Sequence, residues 1–276
     1  MSIIASWAFK QQPSATEIED TISKMLTAFE GIEFFVNSGD NIVILPDWGL
    51  PVPPEAGINT TPAVVAALIN LARGAGCGMV TLAGKAIDGF DFDQVLQISG
   101  YAQLCEDLEV DFIDLSMMIT ATRPTTNNLA KEQMQIYQCL LHADTLINIP
   151  KLKSENGTLF GGGFINIANG SPDLALMPPE QYQRALVDLY DLREPDLTII
   201  DGIKGNKGYQ QLPQSTLLIG RDLLALDIVL ATLVGANPSS IEYLRLSTSY
   251  AMGDSQPRDI MILGDALRKM FTDKQH

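Results

Sequence analysis

Along this chain, apolar runs of strand length alternate with stretches whose apolar residues recur at helical spacing. Residues 16–29, TEIEDTISKMLTAF, place Ile18, Ile22, Met25, Leu26 and Phe29 on one face, with acidic side chains in the first turn where the helix dipole favours them. A flanking or lid helix is predicted. Asn41 to Pro46, NIVILP, is a near-continuous apolar run, which belongs to a sheet covered on both faces. It ends in Asp47 and a proline-rich loop. TTPAVVAALINLAR then offers Thr61 as a helix cap and Pro62 at the first helical position. The glycines of GAGCG, residues 74–78, follow that helix and precede the strand MVTLAG, so they are C-cap glycines; a dinucleotide fingerprint would follow a strand and open a helix.

The alternation continues to the C-terminus. A helix is predicted over Asp93–Leu108, a strand at VDFIDLS from Val110, and a helix by composition over Leu129–His142. LINIP from Leu146 is a fourth strand, LTIID from Leu197 a fifth and TLLIG from Thr216 a sixth. Helices are predicted from near Pro179, over Asp222–Gly235 and over Ser239–Ser249, before the strand DIMILG and a terminal helix. Strands alternating with helices imply an α/β fold: a doubly wound, mostly parallel sheet with helices on both faces, in three layers and with right-handed crossovers. One domain over residues 1–276 is expected; the alternative is two intimately packed lobes, about 1–142 and 143–276.

The fourth strand leads into the stretch least explained by periodicity. In TLINIPKLKSENGTLFGGGFINIANG, residues 145–170, Pro150 stops the strand, Lys151 and Lys153 follow, and glycines and asparagines dominate what remains. Proline cannot donate to a ladder, and glycine allows close backbone approach, so this segment suits a loop that turns N–H groups and lysines onto an anion. The plainer alternative is a surface loop with solvated lysines.

Parallel strands deliver their C-terminal ends to one edge, where doubly wound proteins bind ligands. Asp47, Lys151 and Lys153 should therefore open onto one crevice, joined by Lys85, Asp114, Asp201, Arg221 and Asp222 after the other strands. Gly161, Gly162, Gly163 and Asn166 of the loop complete the expected ligand contacts, and Lys153, Asp201 and Asp227 are the candidates for acid–base work. Each has a structural alternative. Asp222 suits a helix N-cap, Asp201 an Asx-turn, and Asp227, in a helix apolar nearly all round, must be buried with a partner such as a backbone amide or Arg221. A hard cation held by Asp47, Asp201 or Asp222 with waters is compatible with the residue types, although spacing singles out no metal site and no cofactor.

Charge and composition narrow the partners. With 33 acidic and 18 basic residues the net charge is −15 and the pI about 4.4, so nucleic acid and anionic membranes are poor partners, while a local lysine cluster can still attract a small anion. The first residues lack a signal-peptide pattern, and no apolar run reaches the roughly 18 residues of a spanning helix, so a cytoplasmic protein is expected. Cys77, Cys105 and Cys139 match no zinc, iron–sulfur or disulfide spacing and are expected to be reduced and mostly buried. Two histidines, one of them the last residue, cannot build a triad or a histidine metal site.

Four segments taken in order, NIVILPDWGLPVPPEAGINTTPAVVAALI, ADTLINIPKLKSENGTLFGGGFIN, LTIIDGI and GRDLLALDIVLATLVG, resemble the domain of unknown function numbered 362 (DUF 362) over residues 40–264. The resemblance implies a strand ending in Lys-Pro-Asn, a Pro-Lys-x-Lys stretch, an Asp-Gly strand end and an Asp-x-x-Ala-x-Asp-like helix. Here Leu45 and Asp47 flank Pro46, Glu155 stands where a histidine is usual, and Ile165-Asn166 replaces Lys-Asn. Many members carry ferredoxin-type cysteine clusters, which this chain does not have. The resemblance supports the fold and the position of a site more than a reaction. It leaves open a small-anion site, a non-catalytic module docking on a redox or iron–sulfur protein, and a paralogue that has lost its site.

Overall fold

The computed structural model describes residues 1–155, 159–160, 162–204, 212–213 and 215–273. Its strands are β1 (Ser2–Ala8), β2 (Asn41–Pro46), β3 (Met79–Gly84), β4 (Asp111–Asp114), β5 (Thr120–Pro124), β6 (Gln133–Tyr137), β7 (Thr145–Ile149), β8 (Ser154–Glu155), β9 (Leu159–Phe160), β10 (Leu197–Asp201), β11 (Thr216–Gly220) and β12 (Ile260–Leu263). The helices are α1 (Ala15–Leu26), α2 (Pro62–Gly74), α3 (Phe92–Ile98), α4 (Tyr101–Leu108), α5 (Gln138–Leu141), α6 (Gly163–Ile167), α7 (Pro172–Ala175), α8 (Pro179–Leu192), α9 (Leu223–Leu233), α10 (Glu242–Ser249) and α11 (Asp265–Asp273). Eight strands form one sheet in the order β12-β1-β11-β10-β7-β2-β3-β4, with β5–β6 and β8–β9 as separate two-stranded pairs.

Seven of the eight strands run the same way, and β11 alone is antiparallel to its neighbours β10 and β1. The protein is thus a three-layer α/β structure with a mostly parallel sheet. Alternation along each strand divides the core. Ile42 and Ile44 of β2, Ile147 and Ile149 of β7, and Leu217 and Ile219 of β11 meet α1 and α2 on one face. Ile200 and Leu218 meet α8 and α9 on the other, while Val43, Leu45 and Leu146 are covered by Leu115, Tyr137 and Leu140. Strands buried on both faces read as continuous apolar runs because neither set of alternate residues sees water.

Several elements differ from what the sequence pattern predicts. Residues 2–8 form β1, inserted between β11 and β12. The segment Leu129–His142 is not a helix: Gln133–Tyr137 pairs with Thr120–Pro124 in a hairpin, and only Gln138–Leu141 is helical. Met134 and Ile136 are buried while Gln133 and Gln135 are exposed, so a period-two pattern overrides the helix preference of glutamine and methionine. The hairpin is held by a fully buried carboxylate: Asp188 of α8 accepts from the N–H groups of Leu129 at 3.0 Å, Ala130 at 2.7 Å and Lys131 at 3.4 Å. The predicted helix over Asp93–Leu108 is two helices, broken at Gly100, whose φ of 79° lies in the left-handed region. Cys77, Cys105 and Cys139 are free thiols and only partly buried; partial burial pushes the Cys105 thiol up to about 11.

Asp188→Ala strips three buried N–H groups of their acceptor and should destabilise the protein by roughly 2–4 kcal/mol in urea unfolding. A change below about 0.5 kcal/mol, within the range of an ordinary surface substitution, would show that the carboxylate does not hold the hairpin.

Candidate functional site

The connections out of β2 and β7 run in opposite directions across the sheet. From β2 the chain crosses through α2 to β3, and from β7 it crosses through α6, α7 and α8 to β10, on the other side. Adjacent parallel strands whose crossovers diverge leave a crevice at their C-terminal ends, the topological switch point of a doubly wound sheet. Asp47 follows β2 at this point, and Lys151 and Lys153 follow β7. Thr60 ties the two strand ends together. Its hydroxyl donates to the Ile149 carbonyl at 2.6 Å and accepts from the Asp47 N–H at 2.9 Å, and its own N–H donates to the Asp47 carbonyl at 2.7 Å.

Beneath the crevice lies a buried ion pair. Lys151 and Asp201 are both fully enclosed, with the lysine Nζ 3.0 Å from Asp201 Oδ2. Nζ also donates to Thr61 Oγ1 at 2.9 Å and to the Ile203 carbonyl at 2.5 Å, so all three ammonium hydrogens have acceptors. Asp201 accepts in addition from the Thr61 N–H at 2.6 Å and the Ile203 N–H at 2.9 Å. Thr61 occupies the N-cap position of α2, yet its hydroxyl is engaged by Lys151 and makes no cap to the helix backbone. The negative charge at that helix start comes from Asp201, where the helix dipole favours it. Tyr101 closes the group, its hydroxyl donating to the Thr60 carbonyl at 3.0 Å. Burial, then the charges of Asp201 and Asp47, push its phenol well above the usual range, so it remains a donor.

Above the buried pair, Lys153 Nζ donates to Asp47 Oδ1 at 2.8 Å, with side-chain exposures of 20% and 17%. Asp47 Oδ2 also accepts from the Lys151 N–H at 3.3 Å. The wall on the β2 side is fixed by Trp48, which is buried among Phe92, Tyr101 and Phe112 and donates from its indole to Ser99 Oγ at 2.9 Å. On the same side, Gly57 at a φ of 63° comes so close to Lys204 that an added Cβ would lie 2.3 Å from the Lys204 carbonyl oxygen.

The loop after β7 is anchored from the opposite face. Asp227 of α9, fully buried, accepts from the N–H groups of Gly163 at 2.7 Å and Phe164 at 3.1 Å, with the Tyr243 hydroxyl 3.4 Å away. The partner demanded by that buried carboxylate is thus the backbone of α6, and Arg221 is not it. Asn166 donates to the Leu45 carbonyl at 3.0 Å and to Asn148 Oδ1 at 2.8 Å, while Asn148 donates to the Gly163 carbonyl at 3.1 Å. Gly163 has no room for a side chain, since a Cβ would lie 2.0 Å from Leu223.

The residues expected to meet in one crevice therefore separate. Asp47, Lys151, Lys153 and Asp201 do converge. Lys151 and Asp201 are saturated and enclosed, which gives them to the scaffold in place of an anion contact or acid–base role. The N–H of Gly163 is spent on Asp227, Gly162 sits at the N-cap position of α6, and Asn166 is buried, so these form the base of the loop; Gly161 lies outside the described residues. Arg221 and Asp222 lie at the opposite edge, because antiparallel β11 delivers its C-terminal end there. Asp222 caps α9 through the Ala225 N–H at 2.9 Å. Asp47 and Asp201 thus lie at one edge of the sheet and Asp222 at the other, and among the described residues no group of three or more His, Cys, Asp or Glu could hold a metal. Sequence reasoning passes over Thr60, Tyr101 and Asn148. The last carried a signal: a polar residue inside an apolar strand must find a buried partner, the argument that singled out Asp227.

The profile of the family described as "Domain of unknown function (DUF362)" matches residues 42–232. The chain belongs to the DUF362 family. A thylakoid-associated protein of Synechocystis sp. (strain PCC 6803) is 25% identical over 244 residues, covering 84% of this chain and 74% of that protein. Two solved structures are similar: a Thermotoga maritima protein (TM-score 0.48, 12% identity) and the lactate racemase apoprotein of Thermoanaerobacterium thermosaccharolyticum (TM-score 0.43, 14% identity). The matches cover 87% and 74% of this chain but 60% and 51% of those proteins, so the chain spans little more than half their length. The matched region runs from β2 into α9 and so includes the strand ends that meet at the switch point. No described helix is long and apolar enough to cross a membrane.

Removing one partner of a buried ion pair strands the other charge, so Lys151→Met should destabilise the protein by about 3–5 kcal/mol, with Lys151→Met/Asp201→Leu recovering part of the loss; equal losses in both would deny the coupling. Asp227 makes a pH prediction. Burial raises its carboxyl from 3.8 to about 7, against the pull of the Gly163 and Phe164 N–H groups. Between those values the folded protein keeps a proton that the unfolded chain has lost. This contribution is full at low pH and is lost as pH rises through about 7, so Asp227→Asn should flatten the stability profile between pH 5 and pH 8.

Proposed function

We propose that this DUF362 protein binds a small anionic molecule in the switch-point crevice, with Lys153 as the charged contact and Asp47 holding its ammonium in place. The observation that carries this reading is the contrast between the two lysines. Lys151 is sealed beneath the crevice with every hydrogen accepted, whereas Lys153, two residues later, reaches partial exposure at the same strand end. A scaffold so fully satisfied presents one ammonium in a fixed position, and fixing a contact in advance lowers the entropy lost on binding. Proton transfer at this site falls to Lys153 and Asp47, because Asp201 and Asp227 are enclosed and hydrogen-bonded. A cytoplasmic setting is part of the proposal, supported by three cysteines left as free thiols.

Inorganic phosphate, pyrophosphate and succinate, titrated separately into the purified protein, test the site by thermal shift. At least one should raise the melting temperature, Lys153→Ala should abolish that rise, and Lys153→Arg should retain most of it. If Lys153→Ala leaves every ligand-induced shift unchanged, the assignment of the lysine is wrong.

A further inference from the structure

The reversal of β11 leaves Arg221 outside the switch-point crevice, and the opposite edge of the sheet has its own cavity of about 380 Å³. Its apolar walls come from separate parts of the chain: Ile3 of β1, Phe29 and Phe34 after α1, and Met252 after α10. Phe29 is buried and Phe34 is 52% exposed. The polar groups are few. Arg221 places its guanidinium 5.8 Å from the centre of the Phe34 ring and makes no ion pair with a described residue. Glu194, just beyond α8, and Asp222, at the start of α9, supply the carboxylates. The Glu194 carboxyl is raised by partial burial and then by the charges of Asp222 and Asp191, against the opposing pull of the Arg221 guanidinium.

The shape and lining meet the general pattern of a ligand site: several hundred Å³, mostly apolar, with a small number of placed polar groups. Their chemistry selects among ligands. Arg221 offers a planar fork that suits a carboxylate. A phosphate dianion would be repelled by Glu194 and Asp222, and a simple cation would leave the guanidinium unused. Asp222 is committed to the Ala225 and Asp254 N–H groups and to the Ser2 hydroxyl at 2.6 Å; Glu194 interacts with the Tyr190 hydroxyl and keeps further lone pairs for a ligand donor. An aromatic or branched side chain fits beside Phe29, Phe34 and Ile3.

We infer that the cavity between Arg221, Glu194 and Phe34 binds an apolar zwitterion, a free α-amino acid of the aromatic or branched class. Its carboxylate sits on Arg221, its ammonium faces Glu194, and its side chain lies on Phe34 and Phe29. This site is independent of the crevice at the other edge, so the failure of either reading leaves the other standing.

Isothermal titration of the purified protein with L-phenylalanine is the test, with 3-phenylpropionate, which has no ammonium, and phenethylamine, which has no carboxylate, as comparisons. L-Phenylalanine should bind with a Kd of about 1 mM or tighter, and Arg221→Ala and Arg221→Lys should each weaken it about tenfold or more, the equivalent of one lost charge-assisted contact. Both comparison compounds should bind more weakly than L-phenylalanine, Glu194→Gln should remove the preference over 3-phenylpropionate, and Lys153→Ala should change nothing. Arg221 is exposed, so an unchanged melting temperature of the ligand-free variants confirms that they fold. The inference is overturned if L-phenylalanine gives no binding heat, if both Arg221 variants bind it as the parent does, or if 3-phenylpropionate binds as tightly.

Discussion

Everything at the C-terminal edge of the sheet depends on the ion pair between Lys151 and Asp201. Burying two charges is expensive, and their attraction compensates only when the remaining donors and acceptors are also satisfied. Here Thr61 and Ile203 complete both groups, which links the end of β7, the end of β10 and the start of α2 in one polar knot. The backbone continues the link: Leu152 N–H donates to the Asp201 carbonyl and Asp201 N–H to the Pro150 carbonyl, so the strands remain paired past the proline. Any shift of one strand end would leave a buried charge unpaired.

A second buried carboxylate does the same for the loop. Asp227 receives the first N–H groups of α6, and Asn166 and Asn148 tie that helix to β2 and β7. Gly163 serves close packing against α9, where an added Cβ would lie 2.0 Å from a Leu223 methyl carbon. Between the two anchors, the partly open Lys153–Asp47 pair is the polar element at the β2–β7 junction that solvent reaches.

One strand direction separates the chemistry of the two edges. In an all-parallel sheet, Arg221 and Asp222 would have joined Asp47 and Lys153. Because β11 hydrogen-bonds antiparallel to both β10 and β1, its C-terminal end emerges at the far side, where Arg221 meets Phe34 and a cavity of different composition. Strand direction is invisible in TLLIG itself. The connection from β10 to β11, residues 202–215, is long enough for either direction, and the antiparallel ladders to β10 on one side and β1 on the other set it.

The succession of apolar strands and amphipathic helices was determined by the sequence alone, and with it the three-layer class and the placement of Asp47, Lys151 and Lys153 at one edge. These follow from periodicity, a local property that burial on two faces enforces residue by residue. The capping role of Asp222 and the need for a partner at Asp227 were legible for the same reason: a polar group in an apolar setting advertises its requirement. What met those requirements was decided by the tertiary structure. The alternation in residues 133–137 permits a strand against the helix preference of their residue types, and Asp188, more than 50 residues away, secures the hairpin by taking the preceding N–H groups. Likewise nothing distinguishes Lys151 from Lys153 along the chain; only the approach of Thr61, Asp201 and Ile203 encloses one while the other stays partly exposed. Partners remote in sequence, and the direction in which a strand enters the sheet, are fixed by packing, and in this protein they determine which charges belong to the scaffold and which remain to meet a ligand.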